Sequence, residues 1–172
     1  MHVRIPSAAA VLAAAVVLLG AVFLLVASGC GGRPGSPEAL YAKIAELNGA
    51  GETGKIWDLL TDDAKAREIK VIDDERMFLK KNPDPTNLKG LKQFKCTRQE
   101  FDTLPYTEIY RRENLGNERA FIDAKILETA SDPRAPADVI VTVVSPLGTK
   151  FFLRTRPVGG GWGLVQIVSV AQ

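Results

Sequence analysis

The stretch Asp138–Val170, DVIVTVVSPLGTKFFLRTRPVGGGWGLVQIVSV, decides the fold class. Three β-rich runs, Asp138–Ser145, Lys150–Pro157 and Trp162–Val170, are cut by Pro146-Leu147-Gly148 and Gly159-Gly160-Gly161. Val, Ile, Thr and Phe suit a pleated, half-buried surface, and both breaks are short enough for hairpins. Upstream, Arg119–Glu128 alternates Ile122, Ala124 and Ile126 against Phe121, Asp123 and Lys125, which reads as a further strand closed by Ser131-Asp132-Pro133.

Before this meander the period is helical. Ser36-Pro37-Glu38 is a cap followed by proline at the first helical position, and Leu40, Tyr41, Ile44 and Leu47 recur until Asn48-Gly49. A second unit starts at Thr53 with Ile56-Trp57 and Leu59-Leu60. Thr61-Asp62-Asp63 then caps a longer helix with Ala66, Ile69, Ile72 and Leu79 on one face, ended by Asn82-Pro83-Asp84-Pro85. Residues 86–96 read as loop or short strand. Thr97-Arg98-Gln99-Glu100 is a capping box opening a short helix through Phe101 and Leu104, and Pro105 begins another with Ile109 and Tyr110. Helices first and an antiparallel meander afterwards predict an α+β domain over 37–172, its N-terminal helices packed on a curled sheet of about four strands.

Residues 1–29 read as a leader. Arg4 is followed by no charge until Arg33, Ala8–Val26 is almost continuously apolar, and Ala27-Ser28-Gly29 lead to Cys30. This resembles the lipobox of bacterial lipoprotein signal peptides. The resemblance implies a signal peptide over 1–29, with Ala27, Ser28 and Gly29 recognised by the signal peptidase and Cys30 carrying the lipid. Small residues before the thiol let an extended backbone enter the peptidase; Ala27 stands where leucine is commoner. Two other readings remain open. The 19-residue run is long enough to cross a bilayer as an uncleaved anchor, or Cys30 follows an ordinary secretory signal. All three place the remainder outside the cytoplasm, in the cell envelope or beyond. Residues 30–36, Cys-Gly-Gly-Arg-Pro-Gly-Ser, read as a flexible tether reaching at most about 23 Å.

Scarcity excludes much chemistry. Of 172 residues one is histidine, His2, and two are cysteines. With His2 and Cys30 assigned to the leader and the lipid, the body has no histidine and one thiol, Cys96. It cannot build a Ser-His-Asp triad, a Cys-His pair or a His/Cys zinc site. No dinucleotide, P-loop or EF-hand motif occurs, so no cofactor is expected. Without the leader the net charge is +1 and the apolar fraction falls to about 40%, which gives no prior for nucleic acid.

The body also resembles the nuclear transport factor 2-like superfamily, a cone-shaped α+β fold. The resemblance rests on Glu52–Ala64 (ETGKIWDLLTDDA), on Thr97-Arg98-Gln99-Glu100-Phe101 and on the hairpin ending Gly160-Gly161-Trp162-Gly163-Leu164-Val165. It implies a sheet curled around a pocket. Enzymatic members line that pocket with Asp, His or Tyr; here no catalytic pair carries over. The least implausible set is Asp123 with Tyr106 or Tyr110, against the plainer reading of a solvated Asp123 and core tyrosines.

Charge patterning adds one surface. Lys80, Lys81, Lys89, Lys92, Lys95 and Arg98 share 19 residues with one acid, Asp84, a pattern able to touch anionic head groups or an acidic partner. The acidic run Asp58, Asp62, Asp63, Glu68, Asp73, Asp74 and Glu75 offers a plainer account, the two segments facing one another or being solvated separately. Arg154 and Arg156 share a strand face with Phe152, either as a carboxylate-binding fork or as outward charges blunting a sheet. The expectation is a membrane-anchored, non-catalytic envelope lipoprotein whose domain binds a protein or small ligand. The alternatives are a structural subunit of an envelope assembly on an uncleaved transmembrane anchor, and an isomerase- or cyclase-like enzyme.

Overall fold

The structure, a computed structural model, describes residues 32–82, 89–114, 121 and 123–170, the side chains of 89, 90 and 170 excepted. The leader, including Ala27, Ser28, Gly29 and Cys30, lies outside the described residues, as does Asp84. Among the described residues six helices precede four strands: α1 (Pro37–Gly49), α2 (Ile56–Leu59) after a 3-10 turn at Thr53–Lys55, α3 (Asp62–Lys81), α4 (Lys89–Phe94), α5 (Arg98–Thr103) and α6 (Tyr106–Asn114), then β1 (Lys125–Asp132), β2 (Ala135–Val144), β3 (Lys150–Val158) and β4 (Gly161–Val170). The strands form an open antiparallel sheet in the order β1-β2-β3-β4, so the fold is α+β as the periodicities predict.

Local chemistry sets the boundaries. Ser36 accepts from the Ala39 amide, with proline at the first helical position of α1, and Thr61 accepts from the Ala64 amide at the start of α3. The capping box is complete: Thr97 Oγ1 accepts from Glu100 N at 3.2 Å, and Thr97 N donates to Glu100 Oε2 at 2.9 Å.

Three expectations need correction. Residues 89–94, within the span read as loop or strand, are helix α4: Leu91 and Phe94, three apart, both turn inward, a helical spacing. β1 starts at Lys125, so Phe121, Asp123 and Ala124 precede the strand. Phe121 is buried in the core, and Asp123 sits exposed in a turn at φ 59°. On α3 it is Ala64 that is buried with Ile72 and Leu79, while Ala66 is exposed, because the first turn of the helix leans on β4.

Two cores result. α1 contacts all four strands, and Leu40, Ile44, Val141, Val143, Leu153 and Leu164 between them are at most 1% exposed. Phe121 bridges Tyr41 and Phe151, with ring centroids 6.4 and 5.0 Å away, and Tyr41 Oη donates to Ala124 O at 2.9 Å. The space between α1 and the sheet is thus filled by side chains. A second cluster, Ile72, Leu79, Leu91, Phe94, Phe101 and Ile109, belongs to helices α3–α6.

The tether enters the fold before its end. Trp162 N donates to Pro34 O at 2.8 Å, and the Arg33 guanidinium donates to Leu59 O at 3.2 Å and Leu60 O at 3.1 Å. Arg33 and Pro34, read above as free chain, are therefore bonded across β4 and the start of α3. Gly161 permits this approach: a Cβ there would lie 2.6 Å from Arg33 Cβ and 2.8 Å from Arg33 O. Next to it, Leu60 makes a parallel bridge to Leu164, and Thr61 N donates to Leu164 O at 2.9 Å. These contacts cover the first half of an otherwise open edge strand.

Candidate functional site

Sheet register builds the most polar constellation of the molecule. Val139 pairs with Thr155 and Ile140 with Arg154, so Asp138 on β2 shares the outer sheet face with Arg154 and Arg156 on β3. Asp138 is fully buried beneath them. Arg156 grips it with both arms, Nε to Oδ1 at 2.6 Å and Nη2 to Oδ2 at 3.1 Å, and reaches Asp63 on α3 through Nη1 at 3.2 Å. Arg154 Nε lies 2.6 Å from Asp138 Oδ2 and 3.1 Å from the buried Asp132, although its N–H is aligned with neither.

The charges tune one another. The Arg156 fork holds the Asp138 carboxyl below the usual carboxylate range, burial opposing it. The Thr61 hydroxyl, with Arg67 and Arg156, brings Asp63 down to about 2. Arg156, expected as a carboxylate-binding fork or an outward charge, has its fork occupied by a buried partner and does neither. Sequence alternation places both arginines correctly. It misses Asp138 and Asp132, whose part depends on the pairing of β1 and β2 against β3.

Arg154 differs. It is ion-paired to Asp138 and Asp132 through a misaligned Nε, and its side chain is one-third exposed. It borders a depression of about 440 Å³ on the outer face, together with Asp132, Arg134, Ile140, Phe152 and Val168. Its walls combine the apolar Ile140, Phe152 and Val168 with Arg134 and with Arg154, whose charge is shared with Asp132 and Asp138.

The basic segment predicted from sequence is brought together in part. Arg98 donates to Leu79 O at the C-terminal end of α3, which sets it beside the exposed Lys80 and Lys81. Exposed Lys92 and Lys95 border, with Arg98 and Cys96, a second depression of about 370 Å³ floored by Leu91. The Lys89 side chain is outside the described residues. The acidic run does not face these cations. Instead Asp63 takes Arg67 and Arg156, Asp73 takes Arg76 and Tyr106 Oη, and Asp74 takes Lys70. Cys96 is half-buried. Burial raises its thiol pKa, partly offset by Arg112 with Nη1 at 3.8 Å, so the thiolate is disfavoured.

The residues weighed for isomerase chemistry do not converge. Asp123 is exposed in its turn, Tyr106 donates to Asp73 at 2.9 Å, and Tyr110 is buried edge-on against Trp57 at 5.5 Å. Neither depression described above is lined by any of them. Among the described residues no group of three or more metal-ligating side chains is close enough to hold a metal ion, and no helix is long and apolar enough to cross a membrane. Comparison with protein-family models, with curated proteins and with solved structures found no match to this chain.

Proposed function

We propose that this chain is a lipid-anchored, non-catalytic lipoprotein of the bacterial cell envelope, facing the periplasm or exterior, whose α+β domain binds a protein or small-molecule ligand. The observation that carries the reading is the passage from the apolar run Ala8–Val26 through Ala27-Ser28-Gly29 to Cys30, with the fold taking up the chain three residues later at Arg33. The order of helices then meander, and the long helix capped at Thr61, also support a nuclear transport factor 2-like domain. The space under α1 holds Leu40, Ile44, Val143 and Leu153, which supports a ligand site on the outer face, at Arg154, over one beneath the helix.

A second reading is favoured by one observation. The 19 apolar residues exceed an ordinary signal core, so an uncleaved transmembrane anchor holding a structural subunit of an envelope assembly accounts for the same stretch. An isomerase- or cyclase-like activity is the third reading, and it requires Asp123 to work from an exposed turn.

Mass spectrometry of the N-terminal peptide from full-length protein made in a bacterial host separates them. The expected product begins at Cys30 and carries diacylglycerol and fatty acyl chains such as palmitate, and Cys30→Ala abolishes labelling. An intact Met1 with an unmodified Cys30 establishes the transmembrane reading instead.

A further inference from the structure

Among the described residues, three of the seven large apolar side chains that stand exposed lie on the last three turns of α3: Val71, Met77 and Phe78, each between 45 and 51% exposed. Each therefore leaves about half of its surface open. They are bracketed by cations, with Lys70 before and Lys80 and Lys81 after, all exposed, and Arg98 drawn to the helix end by its bond to Leu79 O. Of the acids within the stretch, Asp74 is paired with Lys70 at 2.5 Å and Asp73 with Arg76, which leaves Glu75, between Val71 and Phe78 on the helix surface, against the cations of Lys80, Lys81 and Arg98. Phenylalanine, methionine and valine among lysines is the composition of a helix that lies in a bilayer interface. There the rings and thioethers enter the acyl boundary while ammonium groups reach anionic head groups.

The position of the anchor makes the arrangement geometrically coherent. Arg33 bonds to the carbonyls of Leu59 and Leu60, immediately before α3 begins. Three residues separate Cys30 from Arg33, a reach of at most about 10 Å. α3 then runs 20 residues, about 30 Å, to the basic end. A lipid on Cys30 would tie the domain to the bilayer through a short tether, and the surface at Phe78 and Lys81 would be a second contact.

We propose that the C-terminal half of α3, through Val71, Met77 and Phe78 with Lys80, Lys81 and Arg98, is a docking surface for anionic phospholipid that lays α3 along the bilayer. The proposal rests on the lipoprotein reading for the first of the two contacts. One attachment would leave the domain free to swing on its tether. Two fix its orientation and decide which side of the sheet a partner meets.

The test uses the full-length chain in nanodiscs of phosphatidylcholine, with or without phosphatidylglycerol. A nitroxide is attached at Phe78→Cys in a Cys96→Ser background, and its collisions with oxygen and with a water-soluble nickel chelate are compared. The oxygen-to-nickel ratio at position 78 is expected to rise severalfold in the anionic discs and to return to its neutral-disc value in Lys80→Glu/Lys81→Glu. A nitroxide at Leu147→Cys, in a turn where that side chain is 95% exposed, is expected to stay unchanged. If position 78 remains as open to nickel as position 147 in anionic discs, on protein whose Cys30 is acylated by mass, the docking surface is refuted while the lipoprotein reading stands. Shielding at position 78 with an unmodified Cys30 refutes the lipoprotein reading and keeps the surface. Shielding that is equal in both lipids and indifferent to the lysine changes refutes the surface.

Discussion

At the scale of single residues the most consequential group is Asp138. A fully buried carboxylate needs partners for its charge, and here the partners are two arginines on the neighbouring strand. Replacing it with asparagine keeps the volume and removes the charge, leaving Arg154 and Arg156 without their common partner. Both guanidiniums retain some contact with water, so the cost is set by the lost charge-assisted bonds, about 2 kcal/mol. Asp138→Asn is therefore expected to lower the unfolding free energy from denaturant titration by that amount, and a change within about 0.5 kcal/mol would mean the network stabilises nothing. The same groups contribute to the acid limit, beside Glu100 and Glu108, each also lowered to about 2 by its hydrogen bonds and arginine partners. Asp63 falls from an ordinary 3.8 to about 2, and Asp138 is lowered too. A carboxyl with a depressed folded pKa contributes stability in full above its unfolded value and loses it as pH falls through the folded one. Stability should hold down to about pH 4 and decline towards pH 2, with a shallower decline in Asp138→Asn; an equally steep fall in the variant would place the acid sensitivity elsewhere.

At the scale of elements, the run Gly159-Gly160-Gly161 looks uniform in sequence and is not. Gly160 turns the β3–β4 hairpin at φ 84° with open space around it, whereas Gly161 is where the backbone of Arg33 and Pro34 presses on β4. Gly160→Ala should cost about 1–2 kcal/mol through its left-handed conformation, with the N-terminal contacts intact. Gly161→Ala cannot keep them: its Cβ meets Arg33 O at 2.8 Å and Pro34 O at 2.9 Å, so the Trp162–Pro34 hydrogen bond must break. Amide exchange at Trp162 reads the difference, being expected to quicken in Gly161→Ala and to stay slow in Gly160→Ala. Equal protection in both variants would show that the docking of Arg33 and Pro34 is incidental. What the sequence could reveal follows from the same distinction. The caps at Ser36, Thr61 and Thr97 and the hairpins after β2 and β3 depend on neighbours in the chain, and their spacing is sufficient to find them. The Asp138–Arg156 pair, the docking of Arg33 on β4 and the separation of Arg98 from the acidic run depend on register and on packing between distant elements. No local pattern carries that information. Helix α4 was missed for a third reason, since two apolar residues in six, with glycine between lysine and leucine, satisfy either period.

At the scale of the whole molecule, two apolar clusters raise the question whether the body unfolds as one unit. The link is α6, where consecutive side chains serve different cores: Ile109 belongs to the helical cluster and Tyr110 to the sheet cluster. Tyr110 is buried edge-on against Trp57, and Arg76 fastens α3 to the end of α5 by donating to Phe101 O at 3.0 Å and Leu104 O at 2.7 Å. Arg67 completes the link by donating to Val165 O at 2.8 Å, beside the bulge where β4 gains a residue against Arg154 and Thr155. Each cluster thus loses partners when the other melts, which makes a single cooperative transition the expectation. The chain provides separate reporters, because both tryptophans pack against the sheet cluster while far-ultraviolet dichroism follows the helices. Fluorescence and dichroism should give one denaturant midpoint in the wild type. Phe101→Ala, which opens a cavity in the helical cluster worth about 3–5 kcal/mol, should shift both midpoints together if α6 transmits the loss. A dichroism midpoint that falls while the tryptophan midpoint stays would identify α3–α6 as an independent unit, and would leave the C-terminal half of α3 free to reorganise without disturbing the sheet.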